Sequence, residues 1–450
     1  MEIVGYRFGW LDPIEAYHLT TLLFVSFLLV VVYKFVSPYG GSCFGILSIM
    51  LIASYPRIWA DMHFNGKDIP EMVLFSLTLI AFFQWFRKPS ILLASTTGLL
   101  FAMALAVKAN AIFIPAIVIL GVWPWKLTRR PHAMIVEHLR DRFKDYAVMI
   151  AVAAMSYLVL MWPFWRTDPY RILQYFQYIS SQGGRVSHLR WNLDPLFQAV
   201  LTIPETVLVF LLFGMVFAIR EARNATNISA RFLLVWMLLP VFRASLPGMV
   251  NFGGIRHFQE YVPAVCILAA FGVVSIVKFA QESRRINPIV TATLLFTVFF
   301  VNLGMIHLKY FPFQHIYYNN LIGGVSGAQN HFSEATDYWG TSYRNGLEWL
   351  SQNTTGEAFL YTAIAGHIVR IEAPLYLRSG IVLMSEGQLY DYSFEDGPVY
   401  VMFITRKNWY RVWANFCVKH MEPIHEIVVD GASILQIYKL ESSPGFSRIP

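Results

Sequence analysis

About ten apolar runs, several close to the ~20 residues that cross a bilayer, fill the chain between residues 17 and 307. They fall near 17–34, 42–58, 69–86, 91–107, 111–124, 146–164, 197–219, 231–246, 258–280 and 287–307. Inside lipid a backbone must satisfy its own polar groups, so runs of this kind fold as helices. Only 14% of the residues are charged, where a soluble domain carries about 25%. Beyond residue 310 the composition changes: Gly, Asn, Asp, Ser and Glu return, and apolar runs shorten to strand length. These features predict a polytopic α-helical membrane protein with a small C-terminal extracytoplasmic α/β domain. The expected division is a transmembrane part, 1–309, and a soluble part, 310–450.

The net charge of +7 could point to nucleic acid, but its distribution points elsewhere. Lys34, Arg87, Lys88, Lys126, Arg129, Arg130, Arg140, Arg142, Lys144, Arg220, Arg223, Arg231, Arg284 and Arg285 fall in alternate loops. That is the positive-inside pattern, and it assigns those loops to the cytoplasm. The loops at 61–68, 165–196 and 247–257, and the tail, are then external. The chain is expected in the cell membrane if bacterial and in the endoplasmic reticulum membrane if eukaryotic. Counting back puts the N-terminus outside as well, although residues 1–16 hold no signal sequence. Either a span escapes the count or a first helix is missing. Three cysteines make no disulfide framework.

Charges at membrane depth cost about 2.5–3.5 kcal/mol each on insertion scales, so they tend to mark function. Here they gather at the external ends of the spans. The turn WADMHFNGKDIP, 59–70, brings Asp61, His63, Asn65, Lys67 and Asp68 together. Asp68, two residues before Pro70, also fits a helix cap. Lys108-Ala-Asn110 joins two short runs. Its lysine needs an acidic partner or an anionic ligand, unless it reaches up to lipid phosphates. The stretch 162–196 holds Arg166, Arg171, Arg185, His188 and Arg190 among aromatics, as an interfacial segment would. In NFGGIRHFQEYVP, 251–263, Arg256-His257 precedes a span, where an arginine opposes the helix dipole unless it grips an anion. An internal pair of Arg256 with Asp61 or Asp68 is the alternative. Carboxylates and cations together at one membrane surface suit a transferase acting on a lipid phosphate. A carboxylate takes a proton from an acceptor hydroxyl, and cations stabilise the departing phosphate. A transporter would instead place charges near the midplane of repeated halves.

YPRIWADMHFNGKDIP resembles the second external loop of bacterial GT-C superfamily glycosyltransferases related to dolichyl-phosphate-mannose-protein mannosyltransferases. Pro56-Arg57 and Asn65-Gly66-Lys67-Asp68 match that group's pattern, with Gly66 where it often has proline. GGIRHFQEYVP resembles its later Arg-His pair. IYYNNLIGGVSGAQNHFSEATDYWGTSYRNGLEWL, 316–350, is similar to its Asn-x-Leu-x-Gly-Gly and Asp-Tyr-Trp-Gly segment. The resemblance implies a GT-C-like membrane fold. It also implies transfer of a sugar, with inversion, from a polyprenyl-phosphate donor to a protein, lipid or glycan acceptor at the external or lumenal face. By analogy Asp68 is the first choice for an acid/base or metal-supporting residue and Asp61 the second. Lys67, Arg256, His257 and Lys108 are donor-phosphate residues, and Asp337-Tyr338-Trp339 form an acceptor or lid group. Mg²⁺ or Mn²⁺ favours oxygen ligands, and Asp61, His63 and Asp68, at irregular spacing, are the groups that such an ion would use; the sequence establishes no cofactor. The expected partners are thus the lipid-linked donor, its acceptor and membrane lipids, with no nucleic acid. Members of this superfamily carry an essential acidic residue in a first external loop, which this chain is expected to lack. Asp12 and Glu15 instead belong to the start of a helix. The alternative function is a non-catalytic membrane subunit or lipid-binding scaffold, with a transporter third.

In the tail, TSYRNGLEWLSQN has the helical spacing of Tyr343, Leu347 and Leu350. AFLYTAI, PVYVMFIT and SILQIYKL are expected strands, with KNWYRVWANFCVKH an intervening helix.

Overall fold

The computed structural model describes residues 13–122, 137–184, 191–223, 228–249, 253–283 and 287–441. Asp12, Lys126, Arg129, Arg130, Arg185, His188, Arg190, Arg284 and Arg285 lie outside them. The chain divides into two units, Met1–Gly304 and Met305–Pro450. The division precedes residue 310 because the last turn of the final long helix belongs to the second unit. There Ile306 and Tyr310 join the buried cluster of Phe313, Val429 and Ile434, and Lys309 pairs with Asp430 at 2.5 Å.

The first unit is helical. In chain order its helices are α1 (Pro13–Ala53), α2 (Pro56–Phe64), α3 (Asp68–Arg87), α4 (Ile91–Val107), α5 (Ile114–Val122), α6 (Phe143–Leu160), α7 (Arg171–Gly184), α8 (Asp194–Leu201), α9 (Glu205–Arg223), α10 (Ile228–Ala244), α11 (Val262–Ser283) and α12 (Pro288–Tyr310). The runs expected at 17–34 and 42–58 fall largely in α1, which is two helices joined across a kink at Gly41 (φ 84°). The run at 197–219 is a bent pair, α8 and α9 meeting at 110°. Among the described residues, five helices are long and apolar enough to cross a membrane, or six if that bent pair counts as one span. Ile91–Val107 and Ala109–Val122 are apolar but shorter.

Without a hydrophobic drive between helices in lipid, small residues let backbones approach. A Cβ on Gly214 of α9 would stand 1.9 Å from the Leu268 carbonyl oxygen of α11, and one on Gly272 would stand 2.2 Å from the Phe210 oxygen. Glycine at both positions is what permits the α9–α11 contact. The most enclosed of the candidate spans is α3, with 89% of its apolar window buried. Its N-terminus carries the charged turn.

The second unit is a small α/β domain. Helix α13 (Tyr343–Asn353) leads to β1 (Ala358–Thr362), α14 (Gly366–Tyr376), β2 (Ile381–Met384), α15 (Glu386–Tyr390), β3 (Val399–Ile404), α16 (Val412–His420), β4 (His425–Val429) and β5 (Ala432–Leu440). The five strands run in the order β2-β1-β3-β5-β4. β1 pairs parallel with β2 and β3, while β5 pairs antiparallel with β3 and β4. β3 is buried along its whole length, so its sequence is a continuous apolar run, as expected of a central strand. The sequence anticipates β1, β3, β5, α13 and α16. It misses α14, which holds Pro374, and the short strands β2 and β4.

Candidate functional site

The turn between α2 and α3 is organised by Asn65. Its side-chain oxygen accepts from the Asp68 amide at 2.9 Å, and its amide group donates to Asp68 Oδ2 at 3.1 Å and to Asp61 Oδ2 at 3.4 Å. One asparagine thus holds two carboxylates side by side. Asp68 does not cap α3: its carboxylate makes no capping bond, and Lys67 occupies the cap position. What Asp68 receives instead is Lys108, whose Nζ lies 3.0 Å from Oδ1. The acidic partner that Lys108 required is therefore forty residues away in sequence.

Lys108 also donates to the Arg256 carbonyl at 3.0 Å, which draws the turn before α11 onto the same centre. Gly254 has φ 65° in that turn, a conformation that costs a glycine little, and the Arg57 guanidinium sits 3.5 Å from where its Cβ would be. Asn110 donates to the His257 carbonyl at 2.8 Å and to Glu260 at 3.1 Å. Arg243, in the last turn of α10, donates to the same carbonyl at 2.7 Å and lies 3.5 Å from Glu260. Glu71 and Glu260 are fully buried and close enough to repel each other. Four acidic groups (Asp61, Asp68, Glu71, Glu260) thus stand among the cations Arg57, Lys108, Arg243 and Arg256.

The electrostatics separate these groups. Burial, with the neighbouring Asp68 charge, pushes the Asp61 carboxyl up to about 7 against the opposing pull of Arg57. Its Oδ1 meets no hydrogen-bond donor among the described residues. Burial, reinforced by Lys108 and Arg256, lowers His257 to about 3. His257 is thus a neutral imidazole and can act only as a hydrogen-bonding group. Lys67 is exposed at the tip of the turn and makes no ion pair among the described residues. Arg256 is half-buried. Tyr175 of α7 comes close enough to Lys108 to feel its charge.

His63 does not join the two aspartates. Its Nδ1 lies 2.7 Å from the Trp59 carbonyl, and its ring packs on Trp59 and His18. Among the described residues no three His, Cys, Asp or Glu side chains converge as a metal site would require. Asp337, Tyr338 and Trp339 belong to the second unit. There Asp337 is fully buried, accepting from His315 at 2.9 Å and from the amides of Gly340 and Ser342 at 3.0 and 2.6 Å. Of the three, only Trp339 is partly exposed. The sequence reading did not single out Arg57, Glu71, Arg243 or Glu260 as site residues. Their signal was the same as for the others, a charge beside or inside an apolar run.

Below the Lys108–Asn110 turn, α3, α4, α5 and α6 enclose an apolar cavity of about 660 Å³, lined by Phe82, Phe86, Phe101, Leu105, Ile114 and Met149 among others. Leu105 and Ile114, which line it, stand three and six residues from Lys108 in sequence.

No protein-family model and no curated protein matches the chain. Among solved structures, 97% of the chain is similar to 86% of ArnT from Cupriavidus metallidurans. Identity is 13%, with a TM-score of 0.47 in the apo state and 0.45 bound to undecaprenyl phosphate. The chain is also similar, over 99% of its length, to 66% of the archaeal oligosaccharyltransferase AglB from Archaeoglobus fulgidus in complex with an inhibitory peptide and a dolichol-phosphate. Identity there is 10% and the TM-score 0.41.

Proposed function

We propose that this chain is an integral-membrane glycosyltransferase that moves a sugar from a polyprenyl-phosphate donor to an acceptor at the extracytoplasmic face. The observation that carries the reading is the cluster of Asp61, Asp68, Lys108 and Arg256, in a unit that also holds an apolar cavity. It offers a proton acceptor, phosphate-binding charge and space for a hydrocarbon chain in one unit.

In this reading Asp61 is the general base, because a carboxyl pushed to about 7 is poised near working pH. It takes the proton of the acceptor hydroxyl. The hydroxyl oxygen forms a bond to the anomeric carbon on the face opposite the carrier, so the configuration inverts. The bond from that carbon to the phosphate oxygen breaks, and the electron pair leaves with polyprenyl phosphate. Arg256 and Lys67 meet the developing phosphate charge, while His257 contributes a neutral hydrogen bond. Lys108, held between Asp68 and the Arg256 backbone, fixes the geometry of the Arg256 turn. Asp68 serves chiefly as the countercharge of Lys108. Acceptor recognition falls to the second unit, with Trp339 as its candidate contact. No step is routed through a divalent cation, since Lys108 already occupies Asp68 and His63 turns away.

Purified full-length chain in detergent, given a panel of radiolabelled polyprenyl-phosphate sugars with and without Mn²⁺, tests this. Turnover with any donor is expected. Silence across the panel from folded protein would overturn the reading.

A further inference from the structure

The second unit contains a feature that the transfer chemistry does not use. In the sheet, β1 lies between β2 and β3, and all three are parallel. The connection leaving β1 runs through α14 to β2, on one side, whereas the chain leaving β3 continues toward β4 and β5, on the other. Where neighbouring parallel strands send their connections apart, their carboxyl ends leave a crevice, and α/β sheets bind ligands there. This sheet has a cavity of about 410 Å³ at that place, within the range of small-molecule sites.

Its walls are chemically distinctive. His367 and Arg370 from α14, and Arg411 from the segment after β3, line it together with Glu386, Tyr361 and Trp409. Arg370 and Arg411 are exposed and make no ion pair among the described residues, although two guanidinium groups share one cavity. Glu386 opposes them with a single carboxylate. Trp409 is 49% exposed, and the Arg406 guanidinium packs 4.1 Å from its ring centroid, holding the indole in the wall. Tyr361 also lines the cavity and is buried, with its hydroxyl within the fields of both Glu386 and Arg411.

We propose that this cavity is a second ligand site, for an anionic saccharide. Guanidinium groups match carboxylate and phosphate oxygens bidentately. An indole face gives an apolar platform for a sugar ring, and a carboxylate with a phenol accepts and donates to ring hydroxyls. The anion-binding part stands on the cavity itself. The saccharide part rests on the transferase reading and would make this the place where a charged acceptor glycan docks. A uronic acid and a sugar phosphate offer the same chemistry, so both belong in the test.

Calorimetric titration of the full-length chain in detergent, with glucuronate, glucose 6-phosphate, glucose and inorganic phosphate, decides it. At least one of the two anionic sugars is expected to bind, with glucose about tenfold weaker or more, as loss of hydrogen bonds to a charged group implies. The double substitution Arg370→Ala, Arg411→Ala should weaken that binding at least tenfold without lowering the melting temperature, and Trp409→Ala should weaken it too. Asp61→Asn should leave it unchanged. The proposal fails if neither anionic sugar binds, if glucose binds equally, or if binding survives the double substitution. It also fails, as an anion site only, if inorganic phosphate matches the sugars and Trp409→Ala has no effect. The titration needs no turnover, so a chain silent in the transfer assay but binding through Arg370 and Arg411 separates the two readings.

Discussion

Asp61 and Asp337 are equally hidden, at 2% and 0% exposure, yet their surroundings drive them apart. Asp337 receives His315 and two backbone amides, and these bonds hold its carboxyl below the usual carboxylate range despite burial. Asp61 receives one long bond from Asn65 and sits beside a second carboxylate, so burial prevails and carries it up to about 7. Burial alone therefore does not mark a functional acid. The number of donors provided for its oxygens does, because a fully satisfied carboxylate has no basicity left to use. Asp337 closes a turn, whereas Asp61 Oδ1 accepts no hydrogen bond among the described residues.

The sharpest way to break this contrast is substitution at both positions. Asp61→Asn should lower the transfer rate by about 10²–10⁴-fold, the usual contribution of a general base, with little loss of folded protein. An unchanged rate in a purified, folded sample would remove Asp61 from the mechanism. Removing Lys108 tests the other half of the cluster. Lys108→Met removes the cation whose charge reaches Asp68, Glu71 and Glu260, and should cost about 3–5 kcal/mol of stability, visible in chemical denaturation.

Asp337→Ala removes the oxygens that accept from His315 and from the Gly340 and Ser342 amides, and hydrogen bonds to a charged group are worth about 1.5–3 kcal/mol each. The expected result is a clear drop in the melting temperature of the second unit, and an unaltered one would mean that the turn does not depend on Asp337. Arg256→Ala should raise the donor KM by about tenfold or more, since hydrogen bonds to charged groups contribute about 1.5–3 kcal/mol. No change in donor affinity would end its phosphate role.

The smallest effect is the pH dependence, and here the two aspartates have opposite signs. Asp61 has a raised pKa, so its share of stability is complete below about 4 and is lost as pH rises through about 7, while its activity as a base grows over the same interval. Asp337 has a lowered pKa. Its stabilisation is complete above the unfolded carboxylate range and disappears only as pH falls below it. Calorimetry from pH 4 to 8 on the wild type and Asp61→Asn should therefore show the acid-side advantage only in the wild type.

Much of this was legible in the sequence, for a physical reason. A membrane forces apolar runs to be helices, so α4, α6, α10, α11 and α12 stand close to where composition places them. The charges at the ends of the apolar runs were legible too, because they are costly at membrane depth. Partnership was not. Asn110 and Glu260 are 150 residues apart and Lys108 and Asp68 forty, distances over which no periodicity speaks. For Asp68 the sequence left a cap open beside an acid/base role, and it could not show that Lys108, in the turn after α4, is its partner. Asp337 looked like a binding residue because it stands beside Tyr338 and Trp339, and only the fold reveals that His315 and two amides already use its oxygens. The bend between α8 and α9 escaped because hydropathy counts length and not direction.

The most direct test of the account is the transfer rate of wild type and Asp61→Asn measured side by side, from pH 5 to 9, with a saturating polyprenyl-phosphate sugar that the wild type accepts. The account predicts a wild-type rate that rises through an apparent pKa near 7 and an Asp61→Asn rate at least ~100-fold lower with no such limb. Equal rates for the two proteins, or the same limb in both, would contradict it.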